Sequence, residues 1–129
     1  MHCLPSRYGH SIPLAGSLWQ LGDVLVSLGE MDEAVIHLRE SLQISQHLTQ
    51  SRYIGYCLFS FIKLLHLQGK TRDAARLLGS MELETKKDFW QFTQYRKMDF
   101  TRTYDAVKTA MVESEFASAY AEGKTLTAA

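Results

Sequence analysis

Proline is scarce in this chain, and its scarcity limits the folds that the chain can adopt. Only Pro5 and Pro13 occur, both before residue 14. Proline interrupts a helix because it lacks a backbone N–H and its ring clashes with the preceding turn. Long runs of β-branched residues, which favour strands, are also missing. From Pro13 onward the sequence therefore predicts almost continuous helix and an all-α fold.

An excess of charge of one sign is also missing. Lys and Arg together number 14, and so do Asp and Glu. A chain without net charge creates no long-range field toward nucleic acid, acidic substrates or anionic membranes. We therefore predict no direct nucleic-acid binding and no membrane association.

Cysteine and long apolar runs are limited too. Of the two cysteines, Cys57 falls in the most apolar segment, where a small buried thiol is expected. That segment, residues 53–67, is shorter than the ~20 apolar residues that cross a bilayer, and it contains Lys63 and His66. The first fifteen residues do not resemble a signal peptide. These features predict a soluble cytoplasmic protein.

A short pattern occurs twice in the chain and organises the rest of it. Gly29 and Gly69 lie 40 residues apart, and each is followed five residues later by an alanine, Ala34 or Ala74. Each glycine follows an apolar helical segment and precedes an amphipathic one. The pattern predicts a helix-turn-helix unit that is repeated.

The leucines of the first helix have helical spacing. Such spacing predicts one buried stripe, and Gly22 beside it predicts a close approach of a neighbouring helix. The predicted stripe consists of Leu14, Leu18, Leu21, Leu25 and Leu28.

Near the other end of the chain, Gly123 is expected to end the last helix.

The pair Leu21-Gly22, with Gly29 and Ala34 after it, resembles the tetratricopeptide repeat in its longer-helix form. Gly69 and Ala74 repeat part of the motif. The resemblance implies an all-α fold: a tetratricopeptide-like α-solenoid of two helix-turn-helix repeats plus two C-terminal helices, forming a single domain. The expected parts are an irregular lead-in (1–13), repeat 1 (14–48), repeat 2 (51–87), the C-terminal helices (88–123) and a tail (124–129).

A narrower resemblance involves residues 72–79, 116–123 and 124–127. These segments resemble the C-terminal repeat region of bacterial multidomain signal-transduction ATPases and of LuxR-type or SARP-type transcriptional regulators. The resemblance implies a sensor or scaffold segment that receives a ligand or protein and passes a signal to other domains. The sequence contains neither a phosphate-binding Gly-x-x-x-x-Gly-Lys-Ser/Thr loop nor a recognition helix with a basic face.

The sequence shows no arrangement of residues typical of a catalytic or metal-binding site. The five histidines do not form a recognised ligand spacing with one another, with cysteine or with carboxylates. Cys57 and His66 would be separated by roughly 13 Å along a helix axis, which is too far for a nucleophile and its base. We predict that the chain is not an enzyme and that it uses no metal or cofactor.

The predicted function is binding to a protein or peptide partner in the groove that first helices line in tetratricopeptide arrangements. Aromatic side chains with a few charges suit such a groove, because they offer large contact area at low entropic cost. The alternative is self-packing, with the C-terminal helices filling the groove through Phe89, Trp90 or Phe92. The predicted groove residues are Trp19, Asp23, Val26, Tyr56, Phe59, Lys63 and His66.

Two other functions remain open from the sequence. One is a homo-oligomeric unit, because a repeat without an N-terminal neighbour would leave Leu14, Leu18 and Trp19 partly uncovered. The other is a small-ligand sensor with a pocket between the central and C-terminal helices. The residues expected to line that pocket are Tyr56, Phe59, Trp90 and Tyr95.

Overall fold

The computed structural model describes residues 12–48, 51–81 and 94–126, with the side chains of residues 12, 51, 52, 94, 95 and 126 excepted. Within these ranges every regular element is a helix, which confirms the predicted all-α class. In chain order the helices are α1 (Ile12–Ser27), α2 (Met31–His47), α3 (Ser51–Leu67), α4 (Thr71–Ser80), α5 (Gln94–Thr109) and α6 (Glu113–Leu126).

The backbone contacts divide the chain into two compact units. The first unit is Met1–Phe61 and the second is Ile62–Ala129. Their boundary falls inside α3, so the beginning of that helix belongs to the first unit and its end to the second.

The two predicted glycine turns are confirmed, and they have the same geometry. Gly29 and Gly69 both have φ of 81°, in the left-handed region that favours glycine. After each glycine the next amide reaches back to a carbonyl five residues earlier, from Glu30 to Leu25 (2.9 Å) and from Lys70 to Leu65 (2.8 Å). The glycine amide itself donates to the carbonyl three residues back. This is the Schellman arrangement, which satisfies the free carbonyls at a helix end.

Each turn leads directly into the next helix. Ala34 and Ala74 donate their amides to the carbonyls of Glu30 and Lys70, the residues that follow the glycines. Both alanine side chains are completely buried. A larger residue would require the helix to move outward at its first turn, which explains why both units have alanine there.

The predicted leucine stripe of α1 is wrong as a description of its buried face. Leu21 and Leu28 are 45% and 68% exposed, and the other three leucines are half-buried. The buried positions lie roughly 100° further round the helix and contain small residues and a tryptophan. They are Ala15, Gly16, Trp19, Gly22 and Val26.

Gly22 brings α1 and α2 together, as its position predicted. A Cβ atom added there would lie 2.7 Å from both Cγ and Cδ2 of Leu38, a side chain with no exposed surface. The two helices pack at this point because Gly22 has no side chain. The small residue, and not a leucine, determines which face of α1 is buried.

Gly22→Ala should lower the free energy of unfolding by about 1–2 kcal/mol, because overpacking outweighs the gain in helix propensity. Gly55→Ala is the matched control: an added Cβ there meets nothing within 4 Å. It should stabilise the protein by about 0.5–1 kcal/mol. Urea denaturation followed by circular dichroism measures both, and equal effects would contradict the packing described for Gly22.

In the second unit, α4 and α6 cross with their backbones in contact. A Cβ on Gly79 would overlap the carbonyl oxygen of Tyr120, and a Cβ on Gly123 would overlap that of Arg76. The expectation that Gly123 ends the last helix is therefore wrong. The helix continues to Leu126, and the glycine is needed inside it because no side chain fits between the two helices.

Gly79→Ala and Gly123→Ala should each destabilise the second unit by about 3 kcal/mol or more, because backbone cannot yield as a flexible side chain does. The double variant should lose less free energy of unfolding than the two single variants lose together, since both substitutions push apart the same pair of helices. Ser118→Ala, at an exposed position of α6, is the control and should change stability by less than about 0.5 kcal/mol. If thermal unfolding showed that the losses of stability of the two single variants add up in the double variant, the two glycines would act at separate contacts.

Candidate protein-interaction surface

Trp19, the first predicted groove residue, is part of the interior of the first unit. Its side chain is 4% exposed, and its indole Nε1–H donates to Ser60 Oγ at 3.1 Å. Ser60 in turn donates to Asp23 Oδ1 at 2.7 Å. The direction is fixed because an indole N–H can only donate and an ionised carboxylate can only accept. The chain of bonds ties α1 to α3.

Aromatic stacking reinforces this link. The ring of Tyr56 stacks on Trp19 with centroids 4.6 Å apart and an interplanar angle of 26°. Tyr53 meets Tyr56 edge-on at 5.9 Å. The hydroxyl of Tyr53 also lies over Gly16, where an added Cβ would be 3.1 Å from it. Two of the aromatic side chains expected to bind a partner, Trp19 and Tyr56, thus pack on each other.

The remaining predicted groove residues are buried or partly buried. Val26 and Phe59 are buried, whereas Asp23 and Tyr56 are half-buried. In the second unit, Lys63 and His66 are half-buried as well. Lys63 Nζ forms an ion pair with Asp99 Oδ2 of α5 at 3.1 Å. Trp19, Val26 and Phe59 are not accessible to a partner in this structure.

Ser60→Ala should lower the free energy of unfolding by about 1–3 kcal/mol, because it leaves the buried Trp19 indole N–H without an acceptor. Ser17→Ala, at an exposed position of α1, makes the same chemical change and should alter stability by less than about 0.5 kcal/mol. Urea denaturation of the two variants tests this, and a harmless Ser60→Ala would mean that the bond contributes nothing.

A second set of buried, hydrogen-bonded groups includes Cys57. The burial of Cys57, which the sequence predicted, is confirmed. Its thiol donates to Ser41 Oγ at 3.2 Å, and Ser41 donates to the Ala15 carbonyl at 2.7 Å. Burial raises the pKa of Cys57 to about 11, although the bond to Ser41 lowers it in part. Since the thiolate is the nucleophilic form, this cysteine is poorly suited to nucleophilic chemistry at neutral pH.

One exposed surface of the first unit is the outer face of α1, meaning the exposed residues of that helix together with Leu28 just beyond its end. Leu21, Val24 and Leu28 are 45%, 53% and 68% exposed, and they follow one another at helical spacing. The outer face consists of Pro13, Ser17, Gln20, Leu21, Val24, Ser27 and Leu28.

The outer face carries no charge. The only ionisable residue of α1 is Asp23, which lies off this face and accepts the hydrogen bond from Ser60. In contrast, α2, α4, α5 and α6 each expose charged side chains. An uncharged, partly apolar helix surface is atypical of a face that meets only water, where polar and charged residues normally dominate. The spacing of Leu21 and Leu28 had predicted that both belong to the core.

Because the pattern repeats after 40 residues, the outer face of α1 has an equivalent face on α3, and that face is packed against other helices. Cys57 and Ser60 of α3 are buried and bonded to α2 and α1, as described above. Their equivalents 40 residues earlier are Ser17 and Gln20, which are exposed. In the first unit, α3 thus packs with this face on the preceding helix pair, whereas α1 leaves the same face open.

A separate depression of about 340 Å³ lies on the second unit, where α6 meets Lys108 of α5. Phe116 and Tyr120 contribute to it, and both pack against Tyr104 in edge-on aromatic contacts. Phe116 itself is almost fully buried.

Four aromatic residues predicted to fill the groove or to line a ligand pocket are not described, or not fully described, by the structure. Trp90, expected in a ligand pocket, lies outside the described residues, as do Phe89 and Phe92, and the side chain of Tyr95 is not described either. Among the residues that are described, no group of three His, Cys, Asp or Glu side chains could hold a metal ion. None of the described helices is long and apolar enough to cross a bilayer.

No protein-family model matches the sequence, and neither a curated protein nor a solved structure is significantly similar to it.

Proposed function

We propose that this chain is a helical-repeat protein-interaction module built from tetratricopeptide-like helix pairs. The identical Schellman turns at Gly29 and Gly69 and the buried alanines that follow them support this architecture. In keeping with the resemblance of its C-terminal segments, the module would be the regulatory region of a bacterial transcriptional regulator or signalling ATPase.

The observation that carries the proposal is the uncharged outer face of α1. In a stack of repeats, each helix pair covers the apolar face of the next. Here α3 uses the face around Cys57 and Ser60 for that purpose, while the equivalent face of α1 is exposed. A partner that packs there would continue the same arrangement.

The geometry of the outer face indicates the chemistry of its partner. Leu21, Val24 and Leu28 form a narrow apolar stripe, and Ser17, Gln20 and Ser27 lie beside it with uncharged polar groups. An amphipathic helix with apolar residues at i, i+3 and i+7 presents a matching stripe. The proposed ligand is therefore a helical protein segment, and the proposed activity is binding without catalysis.

A library of displayed helical peptides, selected for binding to the immobilised protein at a nanomolar concentration, tests this function. Amphipathic sequences should be enriched, and Leu21→Ala with Leu28→Ala should weaken their binding at least tenfold. Each truncated leucine removes about 1 kcal/mol or more of apolar contact, and alanine preserves the helix. Biolayer interferometry with the selected peptides measures the change.

Ile36→Ala is the matched control, because Ile36 is an aliphatic residue of α2 whose exposure (61%) lies between those of Leu21 and Leu28. It should leave peptide affinity unchanged. Peptides that bind both variants as tightly as the original protein would exclude the outer face as the binding surface. Failure to select any amphipathic helix would count against the interaction function itself.

A further inference from the structure

The outer face of α1 has a property that selects among possible partners. When two copies of one protein associate about a two-fold axis, each residue near the axis meets its own counterpart or a close neighbour. A charged residue there would meet an identical charge, which is unfavourable. The exposed residues of α1 include no Lys, Arg, Asp, Glu or His.

The spacing of the apolar residues fits such an axis. In an antiparallel pair of helices with the axis between Val24 and Leu25, Leu21 of one copy lies opposite Leu28 of the other. The two Val24 side chains then lie close together at the centre, and half-buried Leu25 lies next to them. The flanking Ser17, Gln20 and Ser27 can form neutral hydrogen bonds around the apolar centre, as in the polar rim of an interface.

We propose that the outer face of α1 binds a second copy of this chain, in an antiparallel α1–α1 contact centred between Val24 and Leu25. The proposal rests on the interaction function proposed above and names its partner. It differs from the oligomer expected from the sequence, because Trp19 belongs to the core and the contact uses Leu21, Val24 and Leu28.

The size of the contact sets the expected strength. A 16-residue helix is about 24 Å long, and one helix pair of that length buries less than the ~1,200–2,000 Å² of a typical stable interface. We therefore expect a reversible dimer with a dissociation constant on the order of 10–100 µM. Dimer formation would then depend on the local concentration of the chain.

Sedimentation velocity of the 129-residue chain between about 5 and 500 µM tests the proposal. The original protein should pass from monomer to dimer over this range. Val24→Glu should remain monomeric, with at least a tenfold increase in the dissociation constant, because two carboxylates would meet at the axis. Ile36→Glu makes a comparable apolar-to-acidic change on α2 and should dimerise like the original protein.

Mixing two variants identifies the surface that pairs. Val24→Lys alone should also be monomeric, whereas an equimolar mixture of Val24→Glu and Val24→Lys should form heterodimers, since opposite charges then meet. Circular dichroism should show the same helix content for both variants, because Val24 is 53% exposed and neither Glu nor Lys disfavours a helix. Mixtures that remain monomeric would overturn the α1–α1 contact.

Two other results would also overturn the proposal. A chain that stays monomeric at 500 µM does not pair through α1, and a dimer that persists in Val24→Glu uses another surface. Peptide selection separates these failures from failure of the interaction function. A monomer whose selected peptides still require Leu21 and Leu28 retains the function and has a different helical partner.

Discussion

Close helix contacts in both units depend on residues that lack a side chain. In the first unit, Gly22 lets α1 approach Leu38 of α2 so closely that a single methyl group would overlap it. In the second, Gly79 and Gly123 bring the backbones of α4 and α6 into contact. Helix axes separated by a larger side chain would leave space that the neighbouring residues cannot fill, because protein interiors are close-packed. These glycines therefore determine which faces become core.

That choice of core determines which residues remain available for binding. Once α1 turns Ala15, Trp19, Gly22 and Val26 inward, its leucines lie at the edge of the core or outside it. The apolar surface that results on the outer face follows from the packing, because a helix cannot bury its small residues and its leucine stripe against the same neighbour. The surface proposed for partner binding is thus a consequence of how the first unit is packed.

The polar groups in the first unit's interior add specificity to this packing. Trp19, Ser60 and Asp23 form one chain of directional bonds, and Cys57, Ser41 and Ala15 form another. Both connect α3 to the pair formed by α1 and α2. A buried donor or acceptor without a partner is costly, so a rotated or shifted α3 would lose more than apolar contact. The bonds favour one register of three helices that could otherwise slide along one another.

Local patterns in the sequence determined the features that depend on neighbouring residues. The lack of proline after Pro13 determined the helical class, and the two glycines 40 residues apart determined the repeated turns, because a left-handed backbone requires a residue without Cβ. The position of Gly22 beside apolar residues also predicted a close helix contact. Each of these inferences concerns the chain's own backbone or one immediate neighbour.

Only the tertiary structure decided which side of each helix is buried. For α1 the spacing of five leucines favoured one face, but close approach at Gly22 and hydrogen bonding of Trp19 to Ser60 selected another. For α6, Gly123 had the sequence signal of a helix end, yet the backbone of α4 requires it within the helix. A leucine has the same hydropathy whether it is buried or exposed, and a glycine has the same conformational preferences whether it lies inside a helix or at its end. The neighbouring helix decides between these settings, since burial and steric fit are properties of two surfaces and not of one sequence segment.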